Sequence, residues 1–304
     1  MKKALMLALI LALALVCAAQ AETIVDATGR EVTVEGTPEH VVALLGSYGE
    51  VWLDAGGRLA ATTEDAVDTP AALAQGDIAN LGSHSEPNME LLLSLEPDFV
   101  ILSADTAAHP AIAEVLEDAG IPYGFFSMQT WDGYMELLKS FTRLTGREDI
   151  YEDRVETVQK PIEAMIEAAK AQPEYGAKTA LLLRTYSTSV KAKGNSDTVA
   201  GPILTDMGLI NLAETDSALT ENLTMETILV DDPDYIFVVA MGSDREAAMN
   251  TLDETLLSNP AWNTLTAVQE GRYYVLDSDL FHYRPNARWA ESYAIIDELL
   301  YGAD

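Results

Sequence analysis

The residues best suited to chemistry in this chain are basic ones that follow predicted strands in its second half. Arg184, Lys191 and Lys193 fall in one stretch, and Arg284 and Arg288 in a later one, in a chain with only 18 Lys plus Arg. Guanidinium and ammonium groups bind carboxylate or phosphate oxygens of a ligand. The pattern predicts an anion-facing wall, with ordinary surface charge or pairing to neighbouring Asp and Glu as the alternative.

Further candidate ligand contacts are polar and aromatic residues after the carboxyl ends of predicted strands, where open parallel sheets place their crevices. In the first half these candidates are Ser47, Tyr48, Ser83, His84, Ser85 and residues 129–131, which end at Trp131. In the second half they are Arg184, Tyr186, Lys191, Lys193, Met241 and residues 281–284, which include His282, Tyr283 and Arg284. Each tyrosine is equally compatible with a structural place in the wall.

The residue types argue against two other kinds of site. The four His, at positions 40, 84, 109 and 282, are too dispersed to predict a three-His metal site, and His40 and His109 fit structural places. The chain also lacks a glycine-rich phosphate loop, a Gly-x-Ser-x-Gly elbow and a His-Glu-x-x-His helix. The sequence therefore predicts neither a set of metal ligands nor a nucleophile–base pair.

Composition limits the possible partners. The chain has 304 residues, 48% of them apolar, which is a globular composition, and the length suits two domains. Asp plus Glu number 49, so the formal net charge is -31 and a nucleic-acid backbone would be repelled. Cys17 is the single cysteine, so no intramolecular disulfide can form.

The amino terminus has the pattern of a secretory signal over residues 1–21. A positively charged start precedes an apolar run and a small-x-small motif, which predicts cleavage after Ala21 and an extracytoplasmic protein. The run is shorter than the ~20 residues needed to span a bilayer. Lipidation at Cys17 is the alternative, although Val16 departs from the small residue usually found before a lipidated cysteine.

An internal repeat is the most informative pattern in the chain. Asn88–Ile101 aligns without gaps with Thr224–Phe237, at an offset of 136 residues. Each copy carries a helix-capping residue, a glutamate two positions on, a Pro-Asp pair and an apolar run typical of a buried strand. The repeat predicts two lobes of similar build.

Strand and helix patterns alternate in both halves. The predicted strands are residues 40–45, 99–102, 123–126, 179–183, 235–239 and 273–276. The predicted helices are residues 48–55, 111–119, 199–207 and 261–269. This alternation predicts an α/β fold in which each lobe has a mainly parallel sheet flanked by helices.

A long amphipathic segment lies between the two halves. Residues 150–172 carry apolar side chains near the helical period with charges opposite, which predicts a single linking helix. Pro161 removes a backbone donor, so a kink or two abutting helices are expected there. The predicted domains are an amino-terminal lobe at 22–147, the linking helix at 148–174 and a carboxyl-terminal lobe at 175–304.

Together these features resemble the solute-binding proteins of ATP-driven importers, specifically the family that carries ferric siderophores, haem and cobalamin. The resemblance covers essentially all of the chain after residue 21. It rests on Ile24–Val34, the two copies of the repeat, the linking helix and the segment Leu280–Trp289. It implies two rigid lobes that flank a shallow cleft, with the linking helix limiting their closure.

The resemblance also assigns a role to one glutamate in each copy of the repeat. Family members present an acidic residue near the start of a helix in each lobe to arginines of a dimeric permease. Glu90 and Glu226 match these positions. The alternative is structural, because a carboxylate at the second position of a capped helix gains roughly 0.3–1 kcal/mol from the macrodipole.

By this resemblance the protein is expected to be a monomeric extracytoplasmic binding protein. It would capture an iron chelate, an anionic ferric siderophore in the first instance, and deliver it to an ABC permease dimer with its ATPase subunits. It would need no intrinsic cofactor and would perform no covalent chemistry. One alternative keeps the fold and exchanges the ligand for haem or a corrinoid such as cobalamin. For haem, the axial iron ligand is left open among Tyr48, Tyr186, His84 and His282. An alternative from another class is a secreted two-lobed α/β enzyme.

Overall fold

The described chain divides into two compact units. The computed structural model describes residues 21–66, 69–196, 198–242 and 244–302, and the predicted signal segment with Cys17 lies outside them. The first unit extends to Ser127 and includes Leu137–Tyr151, whereas the second contains Met128–Glu136 and the chain from Glu152 onward. The domain limits read from the sequence stay predictions.

The first half of the chain contains a parallel sheet and a separate hairpin. Its strands are β1 (Ala21–Val25), β2 (Glu31–Glu35), β3 (Val41–Ala43), β4 (Leu59–Thr62), β5 (Ala79–Asn80), β6 (Phe99–Ser103) and β7 (Tyr123–Phe126). The parallel sheet has the order β5-β4-β3-β6-β7, and β1 pairs with β2 antiparallel. The helices are α1 (Gly46–Asp54), α2 (Pro70–Gln75), α3 (Met89–Ser94), α4 (His109–Asp118), α5 (Trp131–Thr145) and α6 (Glu148–Arg154).

The second half repeats the scheme with one antiparallel addition. Its strands are β8 (Lys178–Thr185), β9 (Val190–Ala192), β10 (Leu209–Asn211), β11 (Tyr235–Ala240) and β12 (Tyr273–Leu276). The order β10-β8-β11-β12 is parallel, and β9 pairs antiparallel with the end of β8. The helices are α7 (Lys160–Lys170), α8 (Ala200–Asp206), α9 (Ser217–Glu221), α10 (Met225–Asp231), α11 (Arg245–Leu252), α12 (Thr266–Gln269), α13 (Ser278–Phe281) and α14 (Trp289–Tyr301).

Each unit has its own apolar core. The strands β6 and β11 are buried at every residue, as expected for central strands covered on both faces by helices. In the first unit, side chains of α3 and α4 pack on β3 and β6. In the second, side chains of α10, α11 and α12 pack on β8 and β11. None of the helices in the described ranges is both long and apolar enough to cross a membrane.

The predicted α/β fold class is confirmed, and all six predicted strands are present. The other six strands, β1, β2, β4, β5, β9 and β10, were not anticipated. One predicted helix is wrong, because residues 261–269 form a 3-10 turn (Pro260–Thr264) followed by α12. Leu265 separates the two, since its backbone is extended, with φ -64° and ψ 138°.

The helical segment between the two halves is continuous and accommodates its proline. The helices α6 and α7 are joined by a π turn, Val155–Gln159, so helical backbone runs from Glu148 to Lys170. Pro161 lies in the first turn of α7, immediately after the π turn. Pro161 has no N–H to donate, and the helix accommodates it with the widened π turn just before it. The sequence predicts a kink or two helices at this point.

Candidate functional site

Glu90 and Glu226 occupy the same position in two capped helices. Asn88 caps α3 by accepting the Leu91 N–H at 3.0 Å. Thr224 caps α10, where its hydroxyl accepts the Thr227 N–H at 3.2 Å and the Thr227 hydroxyl accepts the Thr224 N–H at 3.0 Å. Both glutamates are exposed at the second helical residue, and neither forms an ion pair or hydrogen bond within the described residues.

The ends of these helices match as well. Glu96 and Asp232 are non-glycine residues with positive φ, 46° and 38° respectively, and each precedes the proline of its repeat. A left-handed residue is a common way to end a helix, but it is usually glycine. Because both copies keep this strained backbone, the repeat preserves the path of the chain as well as its residue types.

The candidates Ser47 and Tyr48 lie in the first turn of α1. Tyr48 is fully buried and Ser47 is half-buried, so a ligand would reach the tyrosine only after movement of its neighbours. The helix begins against Asp65, whose carboxylate accepts the Gly46 N–H at 2.9 Å. A Cβ on Gly46 would lie 2.6 Å from that carboxylate oxygen, so this helix start requires glycine.

The candidates Ser83 and His84 lie in a surface loop between β5 and α3. The hydroxyls of Ser83 and Ser85 are 3.0 Å apart, and His84 is exposed. His109, which the sequence assigns to a structural place, is fully buried at the start of α4. Its Nε2 lies 3.1 Å from the His84 carbonyl oxygen. The candidate loop is therefore bound to the core through its main chain.

Trp131 is half-buried at the first residue of α5. The sequence places residues 129–131 on the amino-terminal lobe, but Met128–Glu136 groups with the second unit. One contact responsible is the Arg284 Nε–H, which donates to the Met128 carbonyl oxygen at 2.6 Å. Trp131 is thus on the same unit as the basic candidates.

The hairpin of β8 and β9 brings three of the basic candidates together. Arg184 and Lys191 are direct cross-strand partners, and the Lys193 N–H donates to the Leu182 carbonyl oxygen at 2.9 Å. Tyr186 is half-buried at the turn, where its N–H donates to the Ser189 carbonyl oxygen at 2.8 Å. This pairing is not predictable from the sequence because β9 is only three residues long.

The end of α13 and the residues after it supply the remaining candidates near the β8–β9 hairpin. Arg184, Lys193 and Phe281 line one narrow crevice, which has no room for a water molecule. His282 follows Phe281, and its ring lies 4.7 Å from the Tyr283 ring, which is half-exposed. Arg184, Lys193, His282 and Arg284 are hereafter called the cationic cluster.

His282 is the member of the cationic cluster whose ionisation is most strongly affected by its neighbours. Burial, followed by the positive charges of Arg184 and Arg284, lowers the pKa of His282 from 6.5 to about 4. The imidazole is therefore neutral at pH 7. Within the described residues, its buried Nδ1 has no hydrogen-bond partner. A neutral imidazole with such a nitrogen can accept or donate one hydrogen bond to a ligand.

Arg288, the remaining basic candidate for the anion-facing wall, forms an ion pair with Glu291. Its Nε and Nη2 each donate to a carboxylate oxygen of Glu291 at 2.8 Å, in a bidentate pair on α14. Pairing to a neighbouring acid was the alternative interpretation of the basic residues, and Arg288 shows such a pair. Lys191 is exposed and Met241 half-buried, with the Met241 N–H donating to the Thr185 carbonyl oxygen at 2.8 Å.

The chemistry available is recognition of an anion by guanidinium and ammonium groups. In the described part of the chain, no three His, Cys, Asp or Glu side chains converge to hold a metal ion.

A family model described as periplasmic binding protein matches residues 41–280. The chain is also 26% identical over 257 residues to the Fe(3+)-citrate-binding protein YfmC of Bacillus subtilis strain 168. That match covers 82% of this chain and 76% of the relative.

Two solved structures have the same fold. Staphylococcus aureus SirA, complexed with staphyloferrin B, matches with a TM-score of 0.69 and 20% identity over 92% of this chain and 97% of that chain. A periplasmic heme binding protein from Pseudomonas aeruginosa matches with a TM-score of 0.65 and 22% identity over 88% of this chain and 94% of that chain.

Proposed function

Because the chain belongs to the periplasmic binding protein family, we propose that it is an extracytoplasmic substrate-binding protein that captures a ferric chelate for an ABC importer. The chelate is an anionic ferric siderophore or a similar carboxylate complex. The metal is cargo within the ligand, and the protein supplies no cofactor of its own.

The observation that carries this proposal is the cationic cluster. The formal net charge of the chain is -31, so the field of the whole molecule repels anions. Arg184 and Arg284 nevertheless lie near the neutral His282, and Lys193 lines the same crevice as Arg184. A charge-assisted hydrogen bond to a carboxylate there contributes about 1.5–3 kcal/mol. The proposed ligand contacts are the cationic cluster with Tyr186, Lys191 and Tyr283, joined by Trp131, Ser47, Ser83 and His84, and by the buried Tyr48 once its neighbours move.

The names of relatives support the ligand class. One relative is a Fe(3+)-citrate-binding protein, and one structural neighbour was solved with staphyloferrin B. A second candidate ligand is haem, favoured by the Pseudomonas aeruginosa neighbour, which is a heme binding protein. A corrinoid is the remaining variant of the same function.

Delivery is assigned to Glu90 and Glu226. Two exposed carboxylates at equivalent positions of a duplicated element suit a two-fold symmetric receiver, here a permease dimer with its ATPase subunits. The protein acts as a monomer, without covalent chemistry, after cleavage at Ala21 or, alternatively, lipidation at Cys17.

A ligand panel tests the proposal. Purified mature protein is titrated with ferric citrate, a ferric hydroxamate siderophore of neutral charge, haemin and cyanocobalamin, and binding is followed by calorimetry and visible absorbance. We expect submicromolar binding of ferric citrate or another carboxylate chelate and weaker binding of the neutral chelate. Exclusive binding of haemin would establish the second candidate, and turnover of any ligand would support the enzyme alternative.

A further inference from the structure

His109 uses both ring nitrogens to join two parts of the first unit. Its Nδ1 accepts the Ser103 N–H at 2.7 Å, at the carboxyl end of β6. Its Nε2–H donates to the His84 carbonyl oxygen at 3.1 Å, in the loop before α3. The side chain is fully buried, so water cannot replace either bond.

These two bonds fix the tautomer of the ring. Nδ1 must be unprotonated to accept from a main-chain N–H, and Nε2 must carry the proton to donate to a carbonyl. A second proton on Nδ1 would oppose the Ser103 N–H and break that bond. Burial, and to a lesser extent the neighbouring His84, lowers the pKa of His109, which keeps the ring neutral. Among the titratable side chains, His84 acts on His109 through its charge.

Apart from the bond to His109, the main-chain hydrogen bonds that tie this loop to other segments of the described structure lie at its ends. The Glu64 N–H donates to the Gly82 carbonyl oxygen at 2.9 Å, and the Asn88 N–H donates to the Leu81 carbonyl oxygen at 2.8 Å. Between these points, the described hydrogen bonds of Ser83 and Ser85 are to each other. The His84 carbonyl is therefore the mid-loop connection to the core in the described structure.

We infer that His109 is a positioning residue that holds the Ser83–Ser85 loop against β6 in its ligand-binding conformation, and that ligand affinity depends on its neutral tautomer. The part about affinity rests on the proposed function, in which Ser83 and His84 contact the ligand. The part about the loop is independent of any ligand.

The loop is tested first, by hydrogen exchange on wild-type protein, His109→Leu, His109→Gln and His40→Gln. Leucine removes both bonds, glutamine keeps one acceptor and one donor without titrating, and His40 is an exposed histidine that serves as control. We expect the Ser103 amide and residues 82–87 of His109→Leu to exchange about tenfold faster or more, a factor equivalent to about 1.4 kcal/mol. Glutamine should restore part of the protection, and His40→Gln should match wild type.

Measurements at lower pH distinguish a role of His109 in positioning the loop from a general contribution to fold stability. As the pH falls, wild type should lose loop protection and the ¹⁵N signature of an unprotonated Nδ1 together, whereas His109→Gln should lack this transition. Equal exchange in wild type and His109→Leu, or the same transition in wild type and His109→Gln, would overturn the inference. If His109→Leu does not fold, the comparison of wild type with His109→Gln decides.

Affinity for ferric citrate is then measured over the same pH range. We expect wild-type affinity to fall with loop protection and the affinity of His109→Gln to lack that component. Unchanged affinity while the loop loosens would refute the role in binding. Absence of ferric chelate binding by wild type would instead contradict the proposed function and leave the loop result standing.

Discussion

Asp98 and Asp234 perform the same task in the two units, because each carboxylate binds main-chain donors at the beginning of the neighbouring central strand. Asp98 accepts the N–H groups of Glu39 at 2.8 Å and His40 at 3.1 Å, just before β3. Asp234 accepts the Thr179 N–H at 2.9 Å and its hydroxyl at 3.1 Å, in β8. Asp98 precedes β6 and fixes the start of its partner strand β3. Asp234 precedes β11 and fixes the start of its partner strand β8.

Removal of the Asp234 carboxylate should destabilise the protein by about 1–3 kcal/mol, because partly buried donors of β8 lose a charged acceptor. Asp98→Ala should cost less, since that carboxylate is exposed. Asp149→Ala removes an exposed ion pair with Arg147 and is the control, with little effect expected. Urea unfolding measures all three, and equal stability of Asp234→Ala and Asp149→Ala would contradict the assignment.

The Asp234 contribution should also depend on pH. Burial opposes its ionisation, but hydrogen bonds from Thr179 and Lys178 outweigh burial and hold the pKa of Asp234 below 3.8. A carboxyl whose folded pKa is depressed stabilises the protein above its unfolded pKa, and this contribution is lost as the pH falls through the folded value. The stability difference between wild type and Asp234→Ala should therefore shrink below pH 3.8.

Neutralisation of the cationic cluster should weaken binding of an anionic chelate. Arg184→Gln and Arg284→Gln should each reduce affinity about 10–100-fold, the equivalent of about 1.5–3 kcal/mol for a charge-assisted hydrogen bond. Arg288→Gln is the matched control, because Arg288 is paired with Glu291, and it should bind as wild type does. Calorimetry at two salt concentrations makes the comparison, and equal losses in all three variants would indicate a nonspecific charge effect.

Charge reversal of Glu90 and Glu226 should abolish transport and leave ligand affinity unchanged. Each single reversal should weaken docking about tenfold or more, as charge pairs across interfaces do. Glu246→Arg is the control, because Glu246 is likewise an exposed second residue of a capped helix. The cap of that helix is Asp244. Uptake assays in cells with the cognate permease provide the readout. Normal uptake by the double variant would remove the docking role.

Alkaline pH should destabilise the protein through Tyr293. This buried tyrosine donates to Asp206 Oδ2 at 2.5 Å, and burial, followed by the Asp206 charge, raises its pKa well above 10. The unfolded tyrosine ionises near 10, so the stability contribution is present below that pH and lost above it. The Tm of Tyr293→Phe should fall less steeply than wild type above about pH 10. Tyr283→Phe, at a half-exposed ring, should keep the wild-type slope.

Most of the fold follows from local sequence patterns. Buried central strands such as β6 are continuous apolar runs, and the caps Asn88 and Thr224 are recognisable residue types, so strands, helix starts and the duplication are readable. Short strands at the sheet margins are not, because a three-residue strand such as β9 acquires its identity only from its partner. The division of the helix predicted at 261–269 is not readable either, because it results from one residue with extended backbone.

The candidate site is predictable in residue type but less so in arrangement. The proximity of Arg184 and Arg284 to His282 depends on long-range packing, whereas the partner of Arg288 lies only three residues away in the sequence. The sequence assigns His109 to a structural place but does not predict its partner, since its bond to His84 joins residues 25 apart. The assignment of Met128–Glu136 to the second unit likewise depends on a contact with Arg284, 156 residues later.

The π turn Val155–Gln159 has a consequence for how this protein can vary. Each helical residue advances the side chains by about 100°, so one residue added or removed there would rotate α7 about its axis. Ile162 and Ala169, fully buried where α7 packs on α14, would then turn toward solvent. In this stretch the property under constraint is the number of residues, and their exposed side chains are free to diverge.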